Sequence, residues 1–199
     1  MLNPDGVVYG NYRSSLLGVD LNRRWINPSK ILHPTIYYTK QLVKMLDIDR
    51  TVELFTDIHG HSKNFNIFTY ACSYPENSIE ARNNNIVKIF PTILSERIDA
   101  FSMKDCRFAN ERDKEATARM VMFKEFNIIH AYTLEASFYG TEPPAPETES
   151  EGEDEVEDGT QSDTKELIQI GQSMIDLADT SPRLKLIEVT DFTETTDLL

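Results

Sequence analysis

The chain has 199 residues, of which 40% are hydrophobic, 27% charged and 10% aromatic, so its composition is that of a globular domain rather than a disordered chain. It contains no apolar run of about 18 residues that could span a membrane, no basic-then-apolar leader, and only two cysteines, too few for a disulfide scaffold. The net charge is −13, but residues 142–163 hold ten Asp or Glu and no Lys or Arg, so the rest of the chain carries only −3.

This charge distribution bears on the partners of the protein. A generally acidic protein repels nucleic acid, whereas a nearly neutral domain with one acidic segment leaves its own site free to be cationic. We expect no nucleic-acid partner for this chain. Without a membrane span, we also expect no membrane partner. The scarce cysteines and the missing leader favour the cytoplasm.

Turn-forming residues dominate positions 1–33, where Asn3-Pro4-Asp5-Gly6, Gly10 and Gly18 occur in close succession, and this density predicts loops rather than a helix. Residues 34–141 then alternate helical and strand patterns, which indicates α/β architecture. The predicted elements are a helix from 34 to about 46, strands over 52–59 and 66–70, a helix over 79–101 that Pro91 interrupts, a helix over 115–126 and a strand over 128–135.

Three segments follow. Residues 142–163 contain almost no apolar side chain that could offset the entropy of ordering them, so they are predicted to be a disordered acidic insertion. Thr164 is suited to cap a helix whose apolar stripe would dock on the main domain, which predicts a closing helix over 164–180. Residues 181–199 are expected to be a flexible tail.

Two sequence clusters follow predicted strands. Asp57-Ile58-His59-Gly60-His61-Ser62 lies at a strand end, where α/β sheets place ligands, and His59 and His61 would share a face in extended backbone. Both histidines, one of them or neither could ligate a metal. Glu135, in Thr133-Leu134-Glu135-Ala136-Ser137, is either a desolvated general base or a glutamate on an exposed strand edge.

Two further clusters are basic. Asn22-Arg23-Arg24-Trp25, with Arg13 ten residues earlier, could form an anion pocket, and spacing alone favours a solvated basic surface instead. Arg119, in Lys114-Glu115-Ala116-Thr117-Ala118-Arg119, begins a predicted helix, and on its own this cluster is typical of a solvated helix face.

Taken together and in order, these clusters resemble the cytosolic carboxypeptidases, zinc metallocarboxypeptidases that trim glutamates from protein C-termini and side chains, notably of tubulin. The stretches that carry the resemblance are residues 3–13, 18–25, 33–37, 57–62, 117–119 and 132–140. The resemblance implies a zinc-carboxypeptidase-like mixed sheet flanked by helices and N-terminally truncated, with residues 1–141 as the C-terminal part of the peptidase domain. It also implies glutamate-rich protein tails as partners, and cytoskeletal or ciliary association where tubulin is the substrate.

The resemblance also implies roles for single residues. His59 matches a zinc ligand, with Asp57 or a backbone carbonyl holding its other nitrogen, and His61 supports the site rather than binding metal. Asn22 and Arg23 match the pair that binds the terminal carboxylate of the substrate.

Three further positions match the family in the same way. Arg13 matches the arginine that stabilises the oxyanion, and Glu135 matches the catalytic base. Arg119 matches a basic residue that faces the substrate side chain and would favour glutamate.

One family feature is missing. The family binds Zn²⁺ through a His-x-x-Glu pair and a later histidine, but none of the four histidines here has Glu three residues later. A closed catalytic site takes three protein ligands, so we expect an incomplete zinc site and an inactive chain as written. A gene model that starts at an internal methionine is favoured over a truncated paralogue. A non-catalytic module that binds acidic tails and a decayed fragment are the alternatives.

Overall fold

The structure, a computed structural model, describes residues 1–143 and the strand Leu186–Thr190. Five strands within these residues form one mixed sheet: β1 (Leu54–His61), β2 (Ile67–Ala71), β3 (Arg107–Phe108), β4 (His130–Ser137) and β5 (Leu186–Thr190). The strand order is β3-β2-β4-β1-β5. Strand β1 is parallel to β4 and to β5, and β2 is antiparallel to β4 and parallel to β3. The predicted mixed sheet flanked by helices is confirmed.

Helices cover both faces of this sheet. The α-helices in the part of the chain that is described are α1 (Pro4–Val8), α2 (Pro34–Asp49), α3 (Ile89–Arg97) and α4 (Ala118–Phe126), and those that cover the sheet are α2, α3 and α4. On one face, α2 and α4 bury Trp25 against Phe55 of β1 and Ala131 of β4. On the other face, α3 packs on the alternate residues of the same strands. The first five residues of β1 and the middle of β4 are buried on both faces, including the polar residues Thr56, Asp57 and Thr133.

Two helical segments differ from the sequence expectation. Pro4–Val8 forms a short helix rather than a loop, because Pro4 occupies its first turn and the side chain of Asn3 accepts a hydrogen bond from the Gly6 N–H. The helix expected over 79–101 is a 3₁₀ segment (Ile79–Lys88) followed by α3. Pro91 lies in the first turn of α3, where its missing N–H leaves no hydrogen bond unmade.

The C-terminal expectations are only partly covered. The predicted acidic insertion from residue 144 onward and the predicted closing helix over 164–180 lie outside the described residues. Within the expected tail over 181–199, residues 186–190 instead form β5, whose sequence is rich in strand-forming residues and pairs with the edge of β1. No helix in the described segments is long and apolar enough to cross a membrane.

Candidate functional site

The six residues predicted to form a site line one cleft of about 410 Å³. The sheet explains this convergence, because β1 and β4 are parallel and end side by side, with His59 paired to Glu135 in the register. Side chains at the carboxyl ends of parallel strands meet at one edge of a sheet. The residues brought together are Arg13, Asn22, Arg23, His59, Arg119 and Glu135.

The imidazole of His59 is oriented by a buried carboxylate. Its Nε2 lies 3.0 Å from Oδ1 of Asp57, whose side chain is 3% exposed. Its Nδ1 lies on the other side of the ring, 4.0 Å from Oε1 of Glu135. A carboxylate on one nitrogen fixes the ring plane and the tautomer, which leaves the other nitrogen on the side of Glu135.

Asn22 connects three parts of the fold through one amide. Its Nδ2 donates to Oδ2 of Asp57 at 3.0 Å, and its Oδ1 accepts the N–H of Ala118, the first residue of α4, at 2.9 Å. Its backbone N–H donates to the carboxylate of Asp20. The amide oxygen is therefore used by the protein itself, and Asn22 ties the loop to β1 and to the start of α4 as well as lining the cleft.

Glu135 lies between the two histidines of β1. Its carboxylate oxygens are 4.0 Å from Nδ1 of His59 and 3.8 Å from Nδ1 of His61, and its side chain is 12% exposed. Burial raises the pKa of the Glu135 carboxyl above its usual value, while His59, Arg119 and Arg13 oppose part of that rise. A carboxyl group with a raised pKa is a stronger proton acceptor when ionised, which suits a general base.

Arg119 is a buried cation rather than part of a solvated helix face. Only 5% of its surface is exposed, although it is the second residue of α4 and lines the cleft. Its Nε is buried without a hydrogen-bond partner, and no carboxylate of the described residues lies within 4.0 Å of its guanidinium. Its nearest described ring contact is Tyr70, whose centroid is 5.6 Å from Cζ. The cost of burying this charge is thus offset only in part by the described protein, which places no carboxylate in direct contact with it.

Arg13 and Arg23 border the cleft from the loop before α2 and share one acidic neighbour. Their Nη1 atoms lie 3.7 Å and 3.8 Å from Oδ2 of Asp20. Arg23 also donates to the backbone oxygen of Asn22 at 3.0 Å, and its side chain is 32% exposed against 59% for Arg13. The basic loop therefore forms one wall of a concave site, as the anion-pocket interpretation requires.

Sequence reasoning missed several residues of the cleft. Asp20 holds the two loop arginines together, and Tyr70 contacts Arg119. The strand pattern of β2 was the available signal for Tyr70, because alternate residues of a strand share a face and Tyr70 pairs with Thr133, two residues before Glu135. Further lining residues are Tyr12, Gly60, Ser62, Lys63, Arg107, Glu111, Lys114 and Thr117.

The described residues do not fit a complete zinc centre. They contain no group of three His, Cys, Asp or Glu side chains placed to hold a metal ion. His59 presents one nitrogen toward Glu135, but a catalytic zinc takes three protein ligands. That the zinc site of this protein is incomplete stays a prediction.

Comparisons with known proteins point to one family, although no family model matches the chain. The chain is 44% identical over 150 residues to cytosolic carboxypeptidase 1 of Danio rerio, across 70% of this chain and 13% of that protein. It is 42% identical to cytosolic carboxypeptidase 4 of Homo sapiens, across 70% of this chain and 14% of that protein.

Among solved structures, a metallo-carboxypeptidase from Pseudomonas aeruginosa in complex with (2-guanidinoethylmercapto)succinic acid is similar, with a TM-score of 0.59 and 29% identity. That match covers 69% of this chain and 35% of the solved chain. The chain is thus a homologue of the cytosolic carboxypeptidases, with the fold of metallocarboxypeptidases, and it spans only a small part of the length of these curated relatives.

Proposed function

We propose that this chain, a homologue of the cytosolic carboxypeptidases, forms the substrate-binding part of a carboxypeptidase site that takes a C-terminal or side-chain-linked glutamate. The observation that carries the proposal is Arg119, a buried guanidinium without a protein carboxylate among the described residues, in the same cleft as Arg23 and Glu135. Glutamate-rich protein tails, such as those of tubulin, are the proposed partners. The names of the homologues support a place in the cytosol, and association with microtubules or cilia follows if tubulin is the substrate.

Two carboxylates of one residue match the two kinds of arginine in the cleft. A terminal glutamate carries an α-carboxylate, which the half-exposed Arg23 would bind in the forked geometry that guanidinium and carboxylate share. Its side-chain carboxylate would neutralise Arg119, whose burial makes a charged partner more favourable than a neutral one. The Pseudomonas aeruginosa relative was solved with a succinic acid derivative, which is also a dicarboxylic acid.

The remaining residues supply the chemistry of peptide hydrolysis. Glu135, with its raised pKa, would take a proton from the attacking water and return it to the leaving amine. Arg13, which lines the same cleft, would stabilise the negative charge that forms on the scissile carbonyl oxygen. His59 would be one ligand of a zinc ion, whose chemistry there would be to lower the pKa of bound water and to act as a Lewis acid. Because the described residues do not complete a zinc site, no step through the metal is assigned to this chain.

A second candidate function follows from the same metal geometry. Without a group of three ligands in the described residues, the chain would bind glutamate-ended tails without cleaving them. In that case binding survives a chelator, and added Zn²⁺ produces no free glutamate. Under the first proposal, hydrolysis depends on Zn²⁺ and on any further ligands that the protein brings to His59.

The test is a calorimetric titration of the 199-residue chain with two peptides that differ only in a terminal Glu or Gln. We expect the Glu peptide to bind more tightly and Arg23→Ala to weaken both peptides by about 10-fold or more, since a hydrogen bond to a charged group is worth about 1.5–3 kcal/mol. Arg24→Ala is the matched control, because Arg24 is an exposed neighbour that does not line the cleft. Equal binding of the two peptides, or equal effects of the two arginine variants, would overturn the proposal. Free glutamate in the same samples, with and without Zn²⁺, separates the enzyme from the binding module.

A further inference from the structure

Arg119 contacts Tyr70 of β2, a strand that lies outside the stretches that carry the family resemblance. Tyr70 and Phe68 are alternate residues of β2 and pair with Thr133 and Glu135 of β4. Alternate residues of a strand share a face, so the ring of Tyr70 lies on the same side of the sheet as the carboxylate of Glu135. Cζ of Arg119 is 5.6 Å from the centroid of this ring, and Sγ of Cys72, just beyond β2, is 3.9 Å from the backbone oxygen of Arg119.

The ring matters because the described protein gives the guanidinium few other partners, chiefly the side chain of Cys72. Arg119 makes no ion pair with the described residues, and its buried Nε has no hydrogen-bond partner there. An arginine side chain has many rotamers, and a guanidinium must be held in one of them to recognise a carboxylate. An aromatic face attracts a cation electrostatically while leaving the N–H groups at the guanidinium edge available to a ligand.

We propose that Tyr70 is a positioning residue, whose ring holds the guanidinium of Arg119 in place and so sets the preference of the cleft for an acidic over a neutral terminal side chain. The inference rests on the proposed function for the ligand, but the contact between Tyr70 and Arg119 is a separate, testable feature. It assigns a specificity role to the aromatic ring of Tyr70 and none to its hydroxyl.

Two variants of Tyr70 test the role of the ring. Tyr70→Phe keeps the aromatic face and is expected to leave the ratio of Glu-peptide to Gln-peptide affinity within about 2-fold of the original. Tyr70→Leu removes the face and is expected to lower that ratio by about 3- to 10-fold, the range that a partly desolvated cation–π contact supports. Tyr74→Leu is the matched control, because Tyr74 packs on Phe123 of α4, at 4.8 Å between centroids, away from Arg119.

A second measurement does not depend on any peptide. Nε of Arg119 is bonded to Cζ, which lies 5.6 Å from the centroid of Tyr70, so we expect the NMR signal of its Nε–H proton to carry a ring-current shift. Arg119→Lys identifies this signal by deleting it. We expect Tyr70→Phe to keep the shift and Tyr70→Leu to move the signal toward the position of a free arginine. If the parent chain binds neither peptide, the proposed function fails while this signal still tests the contact. An unchanged signal in Tyr70→Leu, an equal loss of selectivity in the Phe and Leu variants, or a matching loss in Tyr74→Leu would overturn the inference.

Discussion

Gly60 lies between the two histidines of β1, and replacing it by alanine is expected to lower the free energy of unfolding sharply. A Cβ built at Gly60 would lie 2.1 Å from Cζ of Phe138 and 2.7 Å from its Cε1, which is far inside contact distance. The backbone of Phe138 cannot easily withdraw, because its N–H donates to the backbone oxygen of His61 at 2.9 Å. The ring therefore has to leave the surface on which it packs.

The expected cost follows from this geometry. Forcing an extra carbon into a packed contact typically costs about 1–3 kcal/mol. Phe138 keeps 36% of its surface exposed, so its ring has somewhere to go, and we expect a value near the middle of that range for Gly60→Ala. Once Phe138→Ala has removed the ring, the clash is gone, and replacing a strand glycine by alanine should then stabilise the protein by about 0.5–1 kcal/mol. The effect of Gly60→Ala thus changes sign between the two backgrounds.

The assay is urea unfolding of the four proteins of this double-mutant cycle, followed by circular dichroism. Gly18→Ala serves as the control, because Gly18 has open space around it but a φ of 68°, so its cost comes from the backbone and should be the same with or without Phe138. If Gly60→Ala costs the same free energy of unfolding in both backgrounds, the clash with Phe138 is not its cause.

Three other perturbations have defined outcomes. Arg119→Met should raise the free energy of unfolding by about 1 kcal/mol while abolishing the preference for a terminal Glu, because it removes a buried, unneutralised charge; lower stability on unfolding in urea would contradict this. Burial lowers the pKa of His130 in the folded protein. The stability that neutral His130 contributes should therefore be complete above the unfolded-state pKa near 6.5 and decline as the pH falls through that value toward the lower folded-state pKa. We expect His130→Asn to flatten this part of the curve of unfolding free energy against pH. Lys40→Met should cost about 2–3 kcal/mol in thermal or urea unfolding, since Nζ donates to the backbone oxygen of Trp25 at 2.8 Å and pairs with Glu125 at 2.7 Å; a cost below about 0.5 kcal/mol would be inconsistent with those contacts.

The elements that the sequence predicts well are those with a local cause. Strand β4 begins and ends within two residues of its predicted bounds, because its apolar and β-branched run is bounded by polar residues. Helix α2 begins at Pro34 as predicted, for the reason that proline suits a first helical turn. The short helix Pro4–Val8 depends on a side-chain cap by Asn3, and the two-residue strand β3 depends on a partner strand, so neither has a strong periodic signal.

Some features of the candidate site are likewise visible in the local sequence, and others depend on contacts between distant parts of the chain. That His59 and Glu135 lie at strand ends is visible in the sequence, and parallel pairing then brings them together. The burial of Arg119 is not visible, because its local sequence is that of an exposed helix start and only the packing of α4 on the sheet covers it. The contact with Tyr70 requires the antiparallel pairing of β2 with β4, which no local pattern specifies. The order of the motifs in the sequence indicates the family, whereas the burial of the Arg119 charge is visible only in the folded structure.

The amide of Asn22 has a consequence for the order in which the molecule folds. Its partners Asp57, His59 and Ala118 lie 35, 37 and 96 residues away along the chain. Contacts between such distant residues close long loops and form slowly, so the cleft should be among the last parts of the domain to assemble and among the first to come apart. A peptide that binds the cleft would then bind only the completed fold and shift the folding equilibrium by mass action. The supply of acidic peptide would in this way govern how long the chain resists proteolysis.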